Sequence, residues 1–200
     1  TERDLVRLAA SGADPSDDLV ASWMTADPDC VAPDVDATTA FTSLAEHGYR
    51  IAPVTHDNSE WIWAAAYRNV LKGDGDPATL ARLRQEYVPY MIARIAYYEQ
   101  QSEALLGYNL PHVLLIHPNV LAAVTYHDLL QAFRDRGYRF ITLEEATADP
   151  AYQRPDGYLG RYGPSWIHRW AVGESRPKEF FDGEPKVEQW VLDYAAIASE

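Results

Sequence analysis

A phrase that occurs twice constrains this chain more than any other feature. An amphipathic segment runs into Gly-Tyr-Arg and then into an apolar stretch, as EHGYRIAPVT at residues 46–55 and DRGYRFITLEEA at residues 135–146. Gly48 and Gly137 stand where a helix end favours a left-handed residue. The stretches after them predict strands over 50–55 and 139–143. A third strand is predicted over 113–117, in VLLIHPN, where every position from Val113 to Ile116 is apolar. Strands buried on both faces of a parallel sheet have that composition. Pro118 stops this strand and leaves His117 at its C-terminal tip. Helix alternating with strand predicts an α/β protein.

A long helical segment separates the first two strands. Asp76 is placed to cap it, and Pro77 suits its first turn. Leu80, Leu83, Tyr87, Met91, Ile95 and Tyr98 fall on one face. Pro89, inside the segment, is expected to kink it or divide it in two.

Residues 1–39 differ from the rest. SGADPSDDL and TADPDCVAPDVDATT are rich in Asp, Pro and Ala, so a short helix at ERDLVRLAA followed by loop is predicted. Asp27, Asp29, Asp34 and Asp36 lack the tight spacing of a metal loop and read as solvated. Three parts result: an irregular acidic segment at 1–39, a body at 40–172, and a tail with a short helix at 173–200.

The composition narrows the function classes. A net charge of −13 over 200 residues argues against nucleic-acid or anionic-membrane surfaces. No apolar run reaches the roughly 20 residues of a spanning helix. At 47% hydrophobic, the chain has material for a core. Six Trp and 13 Tyr suit carbohydrate faces as well as cores. The lone Cys30 excludes an internal disulfide. The opening Thr1 and the lack of a signal peptide read as a processed, truncated or fragmentary beginning. Nucleophile-elbow, dinucleotide, P-loop, H-E-x-x-H and C-x-x-C patterns are all missing.

In parallel sheets and barrels, ligand chemistry gathers at the C-terminal ends of strands. Two such ends carry polar clusters: His117, and THDNSEW at residues 55–61. Asp57, Glu60 and Trp61 offer two carboxylates and an indole. A carboxylate beside a histidine orients it as a general acid. Asp57 and Ser59 serve equally well as caps for a helix beginning near Trp61. Of the other histidines, His56 is expected to point away from the Asp57 side. His112, His47 and His127 are expected at the surface, and His168 reads as packed or hydrogen-bonded among aromatics.

In order and spacing, GYRIAPVTHDNSEWIWAAAYRNVL, the long helix, VLLIHPN and RGYRFITLEEATADPAY resemble the C-terminal half of polysaccharide deacetylases with the NodB homology domain. GRYGPSWIHRWA resembles the tail of one branch of that family, and the likeness covers about residues 40–172. The resemblance implies a partial or distorted (β/α) barrel with parallel strands, acting on acetylated carbohydrate with zinc or another divalent metal. It implies a periplasmic or secreted setting.

DNSEW is similar to the family's Asp-x-x-Asp-Trp, with Glu60 in place of the second Asp, and LIH is similar to its Leu-x-His. On that likeness His117 is the general acid and Asp57 its orienting carboxylate. Trp61 and Leu115 line the acetyl pocket, with Glu60 beside them. The family's Thr-Phe-Asp-Asp and His-x-x-x-His, which supply the base and the metal ligands, are absent. CVAP at residues 30–33 carries Val31 where the family's third pattern has Arg. No metal ligand is therefore assigned within this chain. A fragment, one part of a split enzyme and a degenerate glycan-binding domain are the three readings, the first preferred. The alternative outside enzymes is a non-catalytic carbohydrate-binding or scaffold domain. An open half barrel would also expose strand edges, so self-association or a complementing half-domain is expected.

Overall fold

The computed structural model describes residues 39, 42–43, 46–49, 51–160 and 163–200. The chain divides into two compact units, Thr1–Ile51 and Ala52–Glu200. In the first, Gly48 has φ +77°, the left-handed conformation its cap role requires. The expected helix at 2–10, the Asp-rich stretch and CVAP all lie outside the described residues.

The second unit is built from helices: α1 (Glu60–Lys72), α2 (Pro77–Leu106), α3 (Val120–Asp135), α4 (Leu143–Thr147), α5 (Trp166–Gly173) and α6 (Gln189–Ala195). Short 3-10 turns stand at Pro150–Gln153 and Lys178–Phe181. Asp76 caps α2 by accepting from the backbone of Ala78 and Thr79, and Pro77 follows at the first turn. The apolar face read from the sequence is the buried face, including Leu83, Tyr87, Met91 and Ile95. Pro89 does not divide α2, which runs unbroken for 30 residues. Pro89 and Gln85, whose carbonyl it leaves without a donor, are both exposed. Water can satisfy that carbonyl, and packing on either side holds the helix.

Helices α1, α2, α3 and α6 enclose one core, centred on Ile62, Leu83, Met91, Leu129 and Val191. Residues of the C-terminal tail therefore belong to the core: Val187, Val191, Leu192 and Ala195 are all buried there. A second cluster joins the end of α2 to α5 through Tyr98, Leu105, Ile167 and Trp170. Each large side chain so buried contributes about 1.5–3 kcal/mol.

The α/β expectation fails here. The described residues form no sheet, which is incompatible with a parallel-strand (β/α) barrel. The segments expected as strands touch at one isolated parallel bridge, His56 to Leu114. Their hydrogen bonds explain why no ladder grows. The N–H groups of Thr55 and His56 both donate to the carbonyl of Val113. The N–H of Val113 donates to the Thr55 side chain, at 2.8 Å, instead of to backbone. The carbonyls of Val54 and Thr55 are taken by the Trp166 N–H and the Ser165 hydroxyl at the start of α5. Backbone groups already satisfied by a hydroxyl and a helix end cannot pair with a neighbouring strand. In the third segment Thr142 forms a capping box with Glu145 and turns the chain into α4.

Candidate functional site

Asn58 brings two distant segments together. Its side-chain amide donates to the carbonyl of Leu115 at 2.9 Å, and its Oδ1 accepts from the N–H of Glu60 at 3.0 Å. The start of α1 is thereby held against the segment that ends at His117. Glu60, the first residue of α1, is 1% exposed. An acidic side chain there meets the positive end of the helix dipole. Neither Asp57 nor Ser59 caps α1: Ser59 occupies the cap position without a side-chain cap bond.

Glu60 Oε2 lies 3.0 Å from His117 Nδ1. The other oxygen, Oε1, accepts from the amide of Asn119. Asn119 also caps α3 through Ala122 and donates to the carbonyl of His117 at 3.1 Å. An ionised carboxylate only accepts, so Nδ1 carries hydrogen and Nε2 is the nitrogen left for a ligand. The His117 side chain is 53% exposed. A buried anion thus holds an accessible imidazole in one tautomer and orientation.

Beside this pair lies a cavity of about 460 Å³, lined by Glu60, Trp61, Arg68, His117, Asn119 and Ile197. Trp61 is 53% exposed, and the small Ala64 and Ala65 leave room next to it. Leu115 is exposed and lies outside this lining, with its carbonyl bound to Asn58.

Asp57 sits in a different cluster. Its Oδ1 accepts from the Asn58 N–H at 2.9 Å, and its carbonyl accepts from Arg94 Nε and Nη2, each at 3.3 Å. The carboxylate hydrogen-bonded to His117 is therefore that of Glu60, which stands in place of the family's second Asp, and not that of Asp57, which the resemblance implied. Arg94, 5% exposed, also donates to the Pro185 carbonyl and pairs with Glu184 at 2.7 Å. Glu200 lies 3.7 Å from Arg94 and accepts from the Ser59 hydroxyl. Sequence reasoning missed Arg94, Asn58 and Asn119. A signal existed for two of them: an Arg within an apolar helical stripe, and Pro-Asn before an apolar run, which is a helix start.

Burial raises the Asp57 carboxyl above its ordinary value, with Arg94 and the Asn58 N–H opposing. The folded state therefore holds this proton more tightly than the unfolded chain. Its contribution to stability falls as pH rises through the carboxylate range. Asp57→Asn is expected to raise the urea midpoint at pH 7 and to leave it nearly unchanged near pH 3. A lowered midpoint at pH 7 would mean that the Arg94 attraction exceeds the burial cost.

His168 is buried and hydrogen-bonded to the Tyr97 hydroxyl at 3.1 Å. His112 is half-buried rather than at the surface as expected, and stacks on His56 with ring centroids 3.8 Å apart. Among the described residues, no three His, Cys, Asp or Glu side chains converge as metal ligands. No helix among them is long and apolar enough to cross a membrane. No protein-family model, curated protein or solved structure matches the chain.

Proposed function

We propose that this protein recognises acetylated carbohydrate at the Glu60–His117 cavity, and that His117 is the proton-donating half of a deacetylase-type site. The observation that carries this reading is the buried Glu60 carboxylate bound to Nδ1 of an exposed imidazole. The resemblance of LIH to a deacetylase pattern supports the proton-donating role of His117, while it had given the orienting role to Asp57 rather than Glu60. In the hydrolysis so implied, water adds to the acetyl carbon and the C–N or C–O bond breaks. His117 Nε2, left without hydrogen by the Glu60 bond to Nδ1, takes a proton from the attacking water and passes it to the departing amine or alkoxide, leaving acetic acid, and Glu60 balances the transient imidazolium. Trp61 offers a flat apolar platform for a sugar ring, with Arg68 as a hydrogen-bond donor at its edge. A second reading, glycan binding without turnover, is favoured by the exposed Trp61 ring beside the small Ala64 and Ala65.

An N-acetylglucosamine oligomer and its deacetylated counterpart, titrated calorimetrically into the full chain at 0.3 M salt, test the recognition step. Salt at that level screens the attraction between the amine form and an acidic surface. The acetylated oligomer is expected to bind at least about tenfold more tightly, a difference of about 1.4 kcal/mol. Trp61→Ala should remove most of that affinity, while His117→Ala should change it only about twofold, because a general acid acts mainly in the transition state. Equal affinity for the two oligomers, or unaltered binding by Trp61→Ala, would reject the assignment. Acetate release from the same oligomer, measured with and without chelator, separates the enzyme from the binding reading.

A further inference from the structure

The accessible charge of the Glu60–His117 cavity is opposite in sign to that of the chain. Lys and Arg number 17 against 30 Asp and Glu, a net charge of −13. Besides His117, two charged side chains line the cavity, Glu60 and Arg68. Glu60 is 1% exposed, and its two oxygens are occupied by His117 and Asn119. Arg68 is exposed, and among the described residues its guanidinium has no hydrogen bond or ion pair. A ligand entering this cavity therefore meets a cation that has no carboxylate of its own, in a chain with carboxylates to spare.

The position of Arg68 on α1 turns this cation toward the same ligand as Trp61. At 3.6 residues per turn and 1.5 Å per residue, positions seven apart lie about 20° from one another around a helix and about 10 Å apart along it. Trp61 and Arg68 thus share one face of α1, with the small Ala64 and Ala65 between them. Lys72, one turn further along that face, is exposed and stands in the last turn, where the helix dipole favours a cation. Arg68 precedes that turn, so the dipole does not account for it. A guanidinium fork matches the two oxygens of a carboxylate, and a neutral sugar would leave it unpaired.

We propose that the glycan taken by this cavity is acidic: an acetylated oligosaccharide in which a neighbouring sugar of the uronic acid class places its carboxylate on Arg68 while an acetylated sugar lies on Trp61. The inference rests on the carbohydrate reading of the cavity and adds the charge of its ligand. The acid excess of the chain opposes such a ligand only within a Debye length, about 10 Å at 0.1 M salt, and Arg68 acts at contact.

The test titrates two ligands calorimetrically into the full chain: a hexasaccharide alternating N-acetylglucosamine with glucuronate, and its methyl ester, in which each carboxylate is neutral. At 50 mM salt the acid is expected to bind about threefold to fivefold more tightly, the worth of one well-formed exposed ion pair. At 0.5 M salt, where the Debye length is about 4 Å, the two affinities should converge. Arg68→Gln should remove the advantage of the acid at 50 mM salt and leave the affinity of the ester within about twofold of its original value. Arg68→Lys should restore only part of that advantage, since an ammonium lacks the planar fork. Circular dichroism checks that both variants fold. Equal affinity for acid and ester at 50 mM salt, or an advantage that survives Arg68→Gln, would overturn this inference and leave the carbohydrate reading standing. Failure of both ligands to bind would reject the carbohydrate reading, and this inference with it.

Discussion

Lowering the pH from 7.5 to 5 is expected to destabilise the Ala52–Glu200 unit steeply, through histidines that the fold keeps neutral. Burial holds His112 down to about 3 and pushes His56 well below its ordinary value. Burial also lowers His168, with Glu184 opposing and Arg94 assisting. In the unfolded chain each titrates near 6.5. Below that pH the unfolded state takes up protons that the native state refuses. Stability is therefore complete above about 6.5 and declines as pH falls toward the native values. One such histidine contributes up to about 1.4 kcal/mol per pH unit, so His112 alone accounts for about 2 kcal/mol at pH 5. His56 and His168 add in the same direction. Asp57 acts oppositely, beginning from the carboxylate range. Urea unfolding at pH 7.5, 6.0 and 5.0 measures the slope, and His112→Gln should flatten it. Identical stabilities at the three pH values would show that these rings take up protons as readily in the folded state as in the unfolded chain.

Arg94→Met is expected to be the most damaging single substitution on the buried face of α2. Replacing the guanidinium leaves Glu184 and Glu200 without their cation and the carbonyls of Asp57 and Pro185 without their donor. Removing one partner of a buried pair typically costs about 3–5 kcal/mol. The carboxylates of Glu184 and Glu200 are 30% and 20% exposed, which places the expected loss near the lower end. Arg94→Lys should recover only part of it, since an ammonium cannot reach two carboxylates and two carbonyls with the reach of a planar fork. Because Glu200 also accepts from Ser59, the loosened 57–59 loop should weaken binding at the neighbouring Trp61 cavity. Chemical denaturation measures the first effect. A loss below about 1 kcal/mol would place Arg94 among ordinary solvated charges.

Much of the helical framework was legible in the residues. The stripe from Leu80 to Tyr98 and the Asp76–Pro77 start of α2 are properties of a 3.6-residue period and of a few neighbouring side chains. They survive whatever the rest of the chain does. Gly48 and Gly137 were legible for the same reason, since left-handed backbone (φ +77° and +85°) favours the residue without a Cβ. The apolar runs after them were misread because strand propensity describes a half-buried surface and needs a partner to become a sheet. Here Ser165, Trp166 and the Thr55 hydroxyl take the places such a partner would fill.

The candidate site divides along the same line. His117 at the end of an apolar segment, with an acidic cluster 57–60 to meet it, follows from the sequence alone. Which carboxylate it meets does not. Asp57 and Glu60 stand three positions apart, and their side chains go to different surroundings. Asp57 joins Arg94, and Glu60 joins His117 and Asn119. That choice depends on the Asn58 bond to the carbonyl of Leu115, 57 residues away. Local periods, caps and turns are written in consecutive residues and so were determined by the sequence by itself. The pairing of Glu60 with His117, the burial of Arg94 and the stacking of His56 on His112 were decided only by tertiary structure, because each is a contact between segments whose meeting no local pattern records.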